Sequence, residues 1–189
     1  MSFRDFSLRD WRIFAGNAVM LVCSFLYAWW WYDANRTGEF ILSISPLLLL
    51  VVLTGLAAMV LLIHGSFADK AYSAAFSLYR LLLCCAALYA VLLLLGRFVL
   101  HRQLTSELFA MMLWLSGELC ALCVLYEEGS VSPKKCWLLI VLFALAFTVG
   151  LVCYFLYFRL SGAAMEYCGF VPIFCYAVVV LIFMLLQVL

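Results

Sequence analysis

The chain has 189 residues, of which 70% are hydrophobic, 17% aromatic and 11% charged, and its formal net charge is +1. Soluble domains contain roughly 45–50% apolar and about 25% charged residues. A folded body of this length leaves a large surface in contact with water, too large to hide so many apolar side chains. The composition therefore excludes a soluble domain, a disordered chain, a collagen-like protein and a nucleic-acid-binding arm. It predicts an all-α polytopic integral membrane protein that forms a single membrane domain over 1–189.

The spacing of the charged residues predicts how often the chain crosses the bilayer. A spanning helix needs about 20 mostly apolar residues, and charge inside the hydrocarbon is costly. Five stretches are free of charge, and a sixth carries only Glu118. These runs do not alternate as barrel strands would, so they are predicted to be helices. We expect a bundle of six transmembrane helices, which we number as predicted spans 1 to 6, near 12–32, 44–64, 74–99, 105–126, 135–158 and 169–188.

The serine–proline pairs at Ser45-Pro46 and Ser132-Pro133 predict where two helices begin. A serine can cap a helix N-terminus, and proline is favoured at the first helical position. The third proline, Pro172, is predicted to lie in the first turn of the last span. No proline is therefore expected in the middle of a span.

The N-terminal segment 1–11 is amphipathic and is predicted to form a short interfacial helix before span 1. Phe3 and Phe6 lie on one side of a helical wheel, and Arg4 and Arg9 lie on the other. A secretory signal peptide is the alternative. It is not favoured, because the following apolar run has no small-residue cleavage pattern.

Lysines and arginines predict the orientation, since they are enriched in cytoplasmic loops. With six spans, seven of these residues fall on the side of the termini: Arg4, Arg9, Arg12, Lys70, Arg80, Lys134 and Lys135. Four fall on the other side: Arg36, Arg97, Arg102 and Arg159. Both termini are therefore expected in the cytoplasm, with the protein in the cytoplasmic (plasma) membrane.

Glu118 is the main candidate functional residue, because an ionisable group inside a span marks a functional site by default. Arg80 enters predicted span 3 from the cytoplasmic side and is its candidate partner. Trp114 lies one turn before Glu118 on the same helix face. Two functional interpretations are a proton- or cation-coupled carboxylate on a transport path and an anchor for a polar substrate. The structural alternative is a buried Glu118–Arg80 pair, or a protonated side chain hydrogen-bonded to Ser116.

A second candidate site lies at the outer end of span 1, where three tryptophans and a tyrosine precede Asp33. Aromatic rings and a carboxylate can bind an organic cation, and we select Trp30 and Asp33 for this role. The alternative is that these aromatic residues anchor the helix at the lipid headgroups. Consecutive tryptophans point in different directions around a helix, so at most one or two would face a cavity.

The sequence contains nine cysteines and two histidines. Cys120 and Cys123 form a C-x-x-C pair, but they lie deep in predicted span 4 without a basic neighbour, so a redox role is not favoured. His64 and His101 lie at predicted opposite ends, so no metal site is expected. Serine nucleophile, phosphate-loop and dinucleotide patterns are absent from the sequence, and no cofactor is expected.

These observations favour a transporter or a membrane-embedded substrate-binding subunit for a small, partly apolar or cationic solute. The substrate-binding residues would be Glu118, Arg80, Trp114, Trp30 and Asp33, with no catalytic or metal-binding residue. The alternative is a non-catalytic assembly or sensor subunit of a membrane complex, and an enzyme is less favoured. Expected partners are the lipid bilayer, a small-molecule ligand, and a membrane-protein partner or a second copy, but not nucleic acid.

Overall fold

The computed structural model describes residues 7–37, 46–67, 106–127, 129–157 and 159–188. Their regular structure consists of five helices: α1 (Leu8–Thr37), α2 (Pro46–Phe67), α3 (Ser106–Glu127), α4 (Pro133–Tyr157) and α5 (Ala163–Val188). These described residues contain no strand. The all-α prediction is confirmed for this part of the chain.

Three helical stretches within the described residues are long and apolar enough to cross a membrane. They are Asp10–Asp33 in α1, Pro133–Tyr157 in α4 and Ala163–Val188 in α5. Large apolar side chains such as Phe25 and Phe174 are exposed on the outside of the bundle, as expected of a surface that faces lipid. The chain is a helical membrane protein.

The prediction of six spans is not supported, because the described residues contain five helices and only three of them qualify as spans. Predicted span 3, at 74–99, lies outside the described residues. Charge spacing locates apolar runs but does not measure how long each helix is. In α2 the apolar helical stretch is Pro46–Leu62. At about 1.5 Å per residue it is roughly 25 Å long, shorter than a hydrocarbon core of about 30 Å.

The start of α1 differs from the prediction of a separate interfacial helix. The helix begins at Leu8 and continues to Thr37, so the end of the amphipathic segment belongs to the first long helix. A capping box explains this start. The Asp10 N–H donates to Ser7 Oγ at 3.2 Å, while the Ser7 N–H donates to Asp10 Oδ2 at 2.9 Å. Residues 1–6 lie outside the described part of the chain.

Two helix starts agree with the sequence and one does not. Helices α2 and α4 begin at Pro46 and Pro133, as predicted. Helix α5 begins at Ala163, so Pro172 lies inside it and not in its first turn. The preceding Gly162 has a φ of 66°, a left-handed conformation that glycine adopts readily, and it ends the turn before α5. The proline and the last charge, Glu166, indicate a later start than the structure has.

Helix α1 packs most extensively against α2 and also packs along α5. Helix α3 lies against α2, and α4 pairs with α5. Small residues allow these close approaches: a methyl group placed on Gly16 would meet Leu62 Cδ2 at 2.9 Å, and one on Gly117 would meet Met59 Sδ at 2.7 Å. Glycines of α1 and α3 therefore lie directly against apolar side chains of α2.

Trp31 holds the C-terminal part of α1 against the end of α4 and the beginning of α5. Its indole N–H donates to the Glu166 carbonyl at 3.3 Å, and its ring lies 5.4 Å from that of Tyr157. The indole also lies directly over Gly169, where a Cβ atom would overlap the ring. The absence of a side chain at Gly169 is what admits this ring between α1 and α5.

Gly169→Ala is expected to destabilise the protein, because the added methyl group must displace a rigid indole and break its hydrogen bond. Overpacking of this kind costs about 1–3 kcal/mol. Gly117→Ala is the matched control, since its methyl group meets the flexible end of Met59, which can move aside. Thermal unfolding in detergent should show a clearly lower midpoint for Gly169→Ala than for Gly117→Ala. Equal midpoints would contradict the role assigned to Gly169.

Candidate functional site

Three polar side chains from three helices meet in the core of the bundle. Asn17 comes from α1, Glu118 from α3 and Tyr176 from α5. Asn17 and Glu118 are 0% exposed, and Tyr176 is 9% exposed. We refer to these three residues as the carboxylate cluster. Apolar core residues surround it, so its hydrogen-bonding groups depend on one another.

The Glu118 carboxylate accepts hydrogen bonds from both neighbours. The amide nitrogen of Asn17 faces it and donates to Oε2 at 2.7 Å and to Oε1 at 3.2 Å. This amide orientation follows from the hydrogen bonds, because the reverse orientation would set oxygen against oxygen. The Tyr176 hydroxyl donates to Oε1 at 3.4 Å, a longer contact. Asn17 is therefore the closer of the two donors.

Both of these donors are uncharged. Among the described residues, the contacts of Glu118 contain no cationic side chain. Arg80, the partner proposed from the sequence, lies outside the described residues, so the Glu118–Arg80 pair stays a prediction. An isolated carboxylate in an apolar interior is costly unless a proton or a cation compensates its charge.

Trp114 lies beside the cluster, as its position one turn before Glu118 predicts. Its ring centroid is 6.4 Å from that of Tyr176 and 6.4 Å from that of Tyr27. The indole fits against α2 at Gly55, where an added Cβ atom would lie 3.2 Å from Trp114 Cζ2. Trp114 thus forms an aromatic wall next to the carboxylate.

The second predicted site connects to this wall through Tyr27. Trp30 is partly buried, and its ring centroid lies 5.5 Å from that of Tyr27. The aromatic series Trp30, Tyr27, Trp114 and Tyr176 therefore extends from the C-terminal part of α1 to Glu118. Asp33 is exposed near the end of α1.

The neighbouring tryptophans point in different directions, as the sequence predicts. Trp29 is 56% exposed and Trp31 is 6% exposed. Trp30 extends the aromatic series toward Glu118, because it contacts Tyr27.

A separate apolar groove lies between α1 and α5 and encloses about 500 Å³. It is lined from α1 by residues that include Leu21 and Phe25, and from α5 by residues that include Phe170 and Phe174. Ser24 also lines it, but its hydroxyl donates to the Met20 carbonyl at 2.9 Å and is already satisfied. Glu118 and Trp114 are not part of this lining, so the groove is distinct from the carboxylate cluster.

Sequence reasoning missed Asn17, Tyr176 and Tyr27. Asn17 carried a signal, because an amide in an otherwise apolar span commonly forms a hydrogen bond between helices. Tyr176 and Tyr27 carried no comparable signal in a chain with 10 tyrosines. Their roles follow from which helix face meets α3.

The described residues contain no group of three or more His, Cys, Asp or Glu side chains arranged to hold a metal. His64 is exposed and lies 3.1 Å from Arg12 Nη1 through its Nδ1 atom. Within the C-x-x-C pair, Cys120 is buried and Cys123 is exposed, so the two thiols lie in different surroundings.

Comparison with models of protein families, with curated proteins and with solved structures found no match for this chain.

Removing the closer donor should cost more than removing the weaker one. Asn17→Ala leaves Glu118 without its shortest hydrogen bonds and should lower the free energy of unfolding by about 1–3 kcal/mol. Tyr176→Phe removes only a long contact and should cost about 1 kcal/mol or less. Denaturant unfolding in mixed micelles measures both values.

Thr148→Ala is the control for these two variants. Its hydroxyl is exposed and donates only to the Ala144 carbonyl of its own helix, at 2.8 Å. Its stability should therefore stay close to that of the wild type. A larger loss for Tyr176→Phe than for Asn17→Ala would contradict the order of the two donors.

Proposed function

We propose that the protein is a small multipass membrane transporter, or a membrane-embedded substrate-binding subunit, for a small solute that is cationic or partly apolar. The observation that carries this proposal is the complete burial of Glu118 among described partners that are all uncharged. A neutral hydrogen-bond donor orients a carboxylate but does not cancel its charge.

Charge compensation is the first argument for a cationic solute. Moving a carboxylate from water into the interior costs several kcal/mol even after relaxation. A proton or a bound cation removes this cost, and its release restores it. A site of this kind is therefore suited to exchanging a cation with the solvent on either side of the membrane.

The aromatic neighbours are the second argument. The rings of Trp114 and Tyr176 lie 6.4 Å apart, and the Tyr176 hydroxyl contacts the carboxylate. Aromatic faces attract cations and pack against apolar groups. An ammonium group with an attached hydrocarbon part has both properties. We propose that Trp30 and Asp33 form the outer entrance and that Arg80 is the counter-charge of Glu118 when no solute is bound.

A second candidate function is a non-catalytic assembly or sensor subunit. The observation that favours it is that the carboxylate cluster joins three helices and is closed to solvent. A hydrogen-bonded polar group can set which helices pack together. In this case the cluster determines packing, and no solute enters it.

We propose, in addition, the orientation that the sequence predicts: the protein lies in the cytoplasmic membrane with both termini in the cytoplasm. The support is the distribution of lysines and arginines between the two sides. An even number of spans requires both termini to lie on the same side.

Glu118→Gln tests the transport proposal, because it removes the charge and keeps the size. The reoriented Asn17 amide can still bond to a glutamine, so the fold is expected to survive. The purified protein is placed in lipid vesicles, and two rates are measured: uptake of labelled tetramethylammonium, and proton entry with a trapped pH-sensitive dye. Wild type should exceed protein-free vesicles in at least one assay, and Glu118→Gln should fall to the protein-free rate.

Glu127→Gln is the matched control, since Glu127 lies on the same helix but is exposed. It should retain the wild-type rates. Equal rates for Glu118→Gln and wild type would overturn the transport function, and so would wild-type rates no higher than those of protein-free vesicles. If the protein is a substrate-binding subunit, tetramethylammonium should raise the thermal unfolding midpoint of the wild type but not that of Glu118→Gln. The absence of such a rise, with a partner protein retained on mild purification, supports the assembly subunit instead.

The proposed topology predicts that both termini are inaccessible from outside the cell. Small epitope tags at each end should be protected from protease in sealed right-side-out vesicles and digested once the vesicles are opened. Digestion of one tag in sealed vesicles would require an odd number of spans.

A further inference from the structure

Two cysteines face each other across the pair formed by α4 and α5. Cys153 lies on α4 and Cys168 on α5, and both are half-buried free thiols. The Cys153 side chain interacts directly with that of Cys168 and also lies near Cys175.

The aromatic contacts between the same two helices show which residues of α4 lie opposite which residues of α5, and they agree with the position of the two cysteines. On α4, the Phe143 ring lies 6.3 Å from Tyr176 and 6.3 Å from Phe183, two α5 residues that are seven positions apart. Further along α4, Cys153 lies near Cys168 and Cys175, which are also seven positions apart. Later residues of α4 meet earlier residues of α5, as antiparallel packing requires. The antiparallel packing of α4 against α5 therefore explains why the two thiols lie close together.

Helix packing brings facing positions into the range of a disulfide bond. Packed helices lie about 8–10 Å apart between axes, and their Cα atoms lie on cylinders of about 2.3 Å radius. Directly facing Cα atoms then fall close to the roughly 4.4–6.8 Å that a disulfide bridges.

Both thiols lie close to the ends of their helices. Cys153 precedes the end of α4 at Tyr157 by four residues, about 6 Å, and Cys168 follows the start of α5 at Ala163 by five residues, about 7.5 Å. In the proposed topology this end faces the outside of the cell, where disulfides form and persist.

We propose that Cys153 and Cys168 form a redox modification site, in which a disulfide bond links α4 to α5. The oxidant is a small-molecule or protein disulfide. The Cys153 thiolate attacks one sulfur of the oxidant, forms a mixed disulfide and releases one thiol. The Cys168 thiolate then attacks the Cys153 sulfur, forms the internal disulfide and releases the second thiol. The two cysteines lose two electrons and two protons in total, and the oxidant's disulfide gains them.

The proposed disulfide would constrain α5, the helix that carries Tyr176 of the carboxylate cluster. Tyr176 lies on α5, eight residues after Cys168. The disulfide would hold α5 against α4, while Trp31 holds the same end of α5 against α1. The inference does not depend on Glu118 binding a solute, so the two proposals succeed or fail separately.

Oxidised glutathione tests the site in the full chain. The purified protein is reduced in detergent, freed of reductant and treated with oxidised glutathione. After denaturation, free thiols are counted with a maleimide mass tag. Wild type should lose two of its nine reactive thiols, and peptide mapping should find residues 153 and 168 linked. A count that stays at nine, or a map without this link, overturns the proposal.

Single variants identify the pair. Cys153→Ser and Cys168→Ser should each abolish the loss of two thiols, while Cys175→Ser should still show it. Cys123→Ser is the matched control, because Cys123 lies near Cys136 across α3 and α4 and away from the 153–168 pair. It should behave as wild type. If Cys123→Ser no longer lost two thiols while Cys153→Ser still did, the assignment of the disulfide to Cys153 and Cys168 would be overturned. If a variant fails to fold, the peptide map of the wild-type protein decides which cysteines are linked.

Discussion

The buried carboxylate of Glu118 is the constraint on which the described structure depends. Glu118 is buried away from solvent, so it depends on other groups of the protein for its hydrogen bonds. Asn17 from α1 and Tyr176 from α5 donate these bonds, and the three helices that carry these groups are thereby held in one arrangement. The same arrangement places Trp114 against Gly55 and beside Tyr176. Packing and the candidate function therefore rest on one group of contacts.

The pair formed by α4 and α5 connects this core to the end where α1 finishes. Trp31 of α1 reaches α5 through the Glu166 carbonyl and the space above Gly169. The Cys153 and Cys168 thiols lie within the same pair of helices. Helix α5 carries both Cys168 and Tyr176. The redox site and the carboxylate cluster are distinct chemically but share this helix.

Local signals predicted some helix starts well and others poorly. Proline after serine marked Pro46 correctly, because a proline at the first helical position loses no hydrogen bond that the helix needs. The prediction that Pro172 lies in the first turn of its helix is wrong, since a membrane helix tolerates an internal proline where neighbouring groups compensate for the missing N–H. The start of α1 at Leu8 depends on the capping box between Ser7 and Asp10. The amphipathic pattern nearby suggested a separate helix instead.

From sequence alone came the class of protein, the helical nature of the apolar runs that the structure describes, the position of Glu118 within one of them and the neighbouring position of Trp114. Each of these follows from composition or from the helical repeat, which are local properties. The tertiary structure alone identified Asn17 and Tyr176 as donors to Glu118 and brought Cys153 beside Cys168. Tyr176 and Glu118 are 58 positions apart. Which helix faces meet between residues so far apart in the sequence depends on packing around glycines and aromatic rings. An apolar run by itself does not specify this packing.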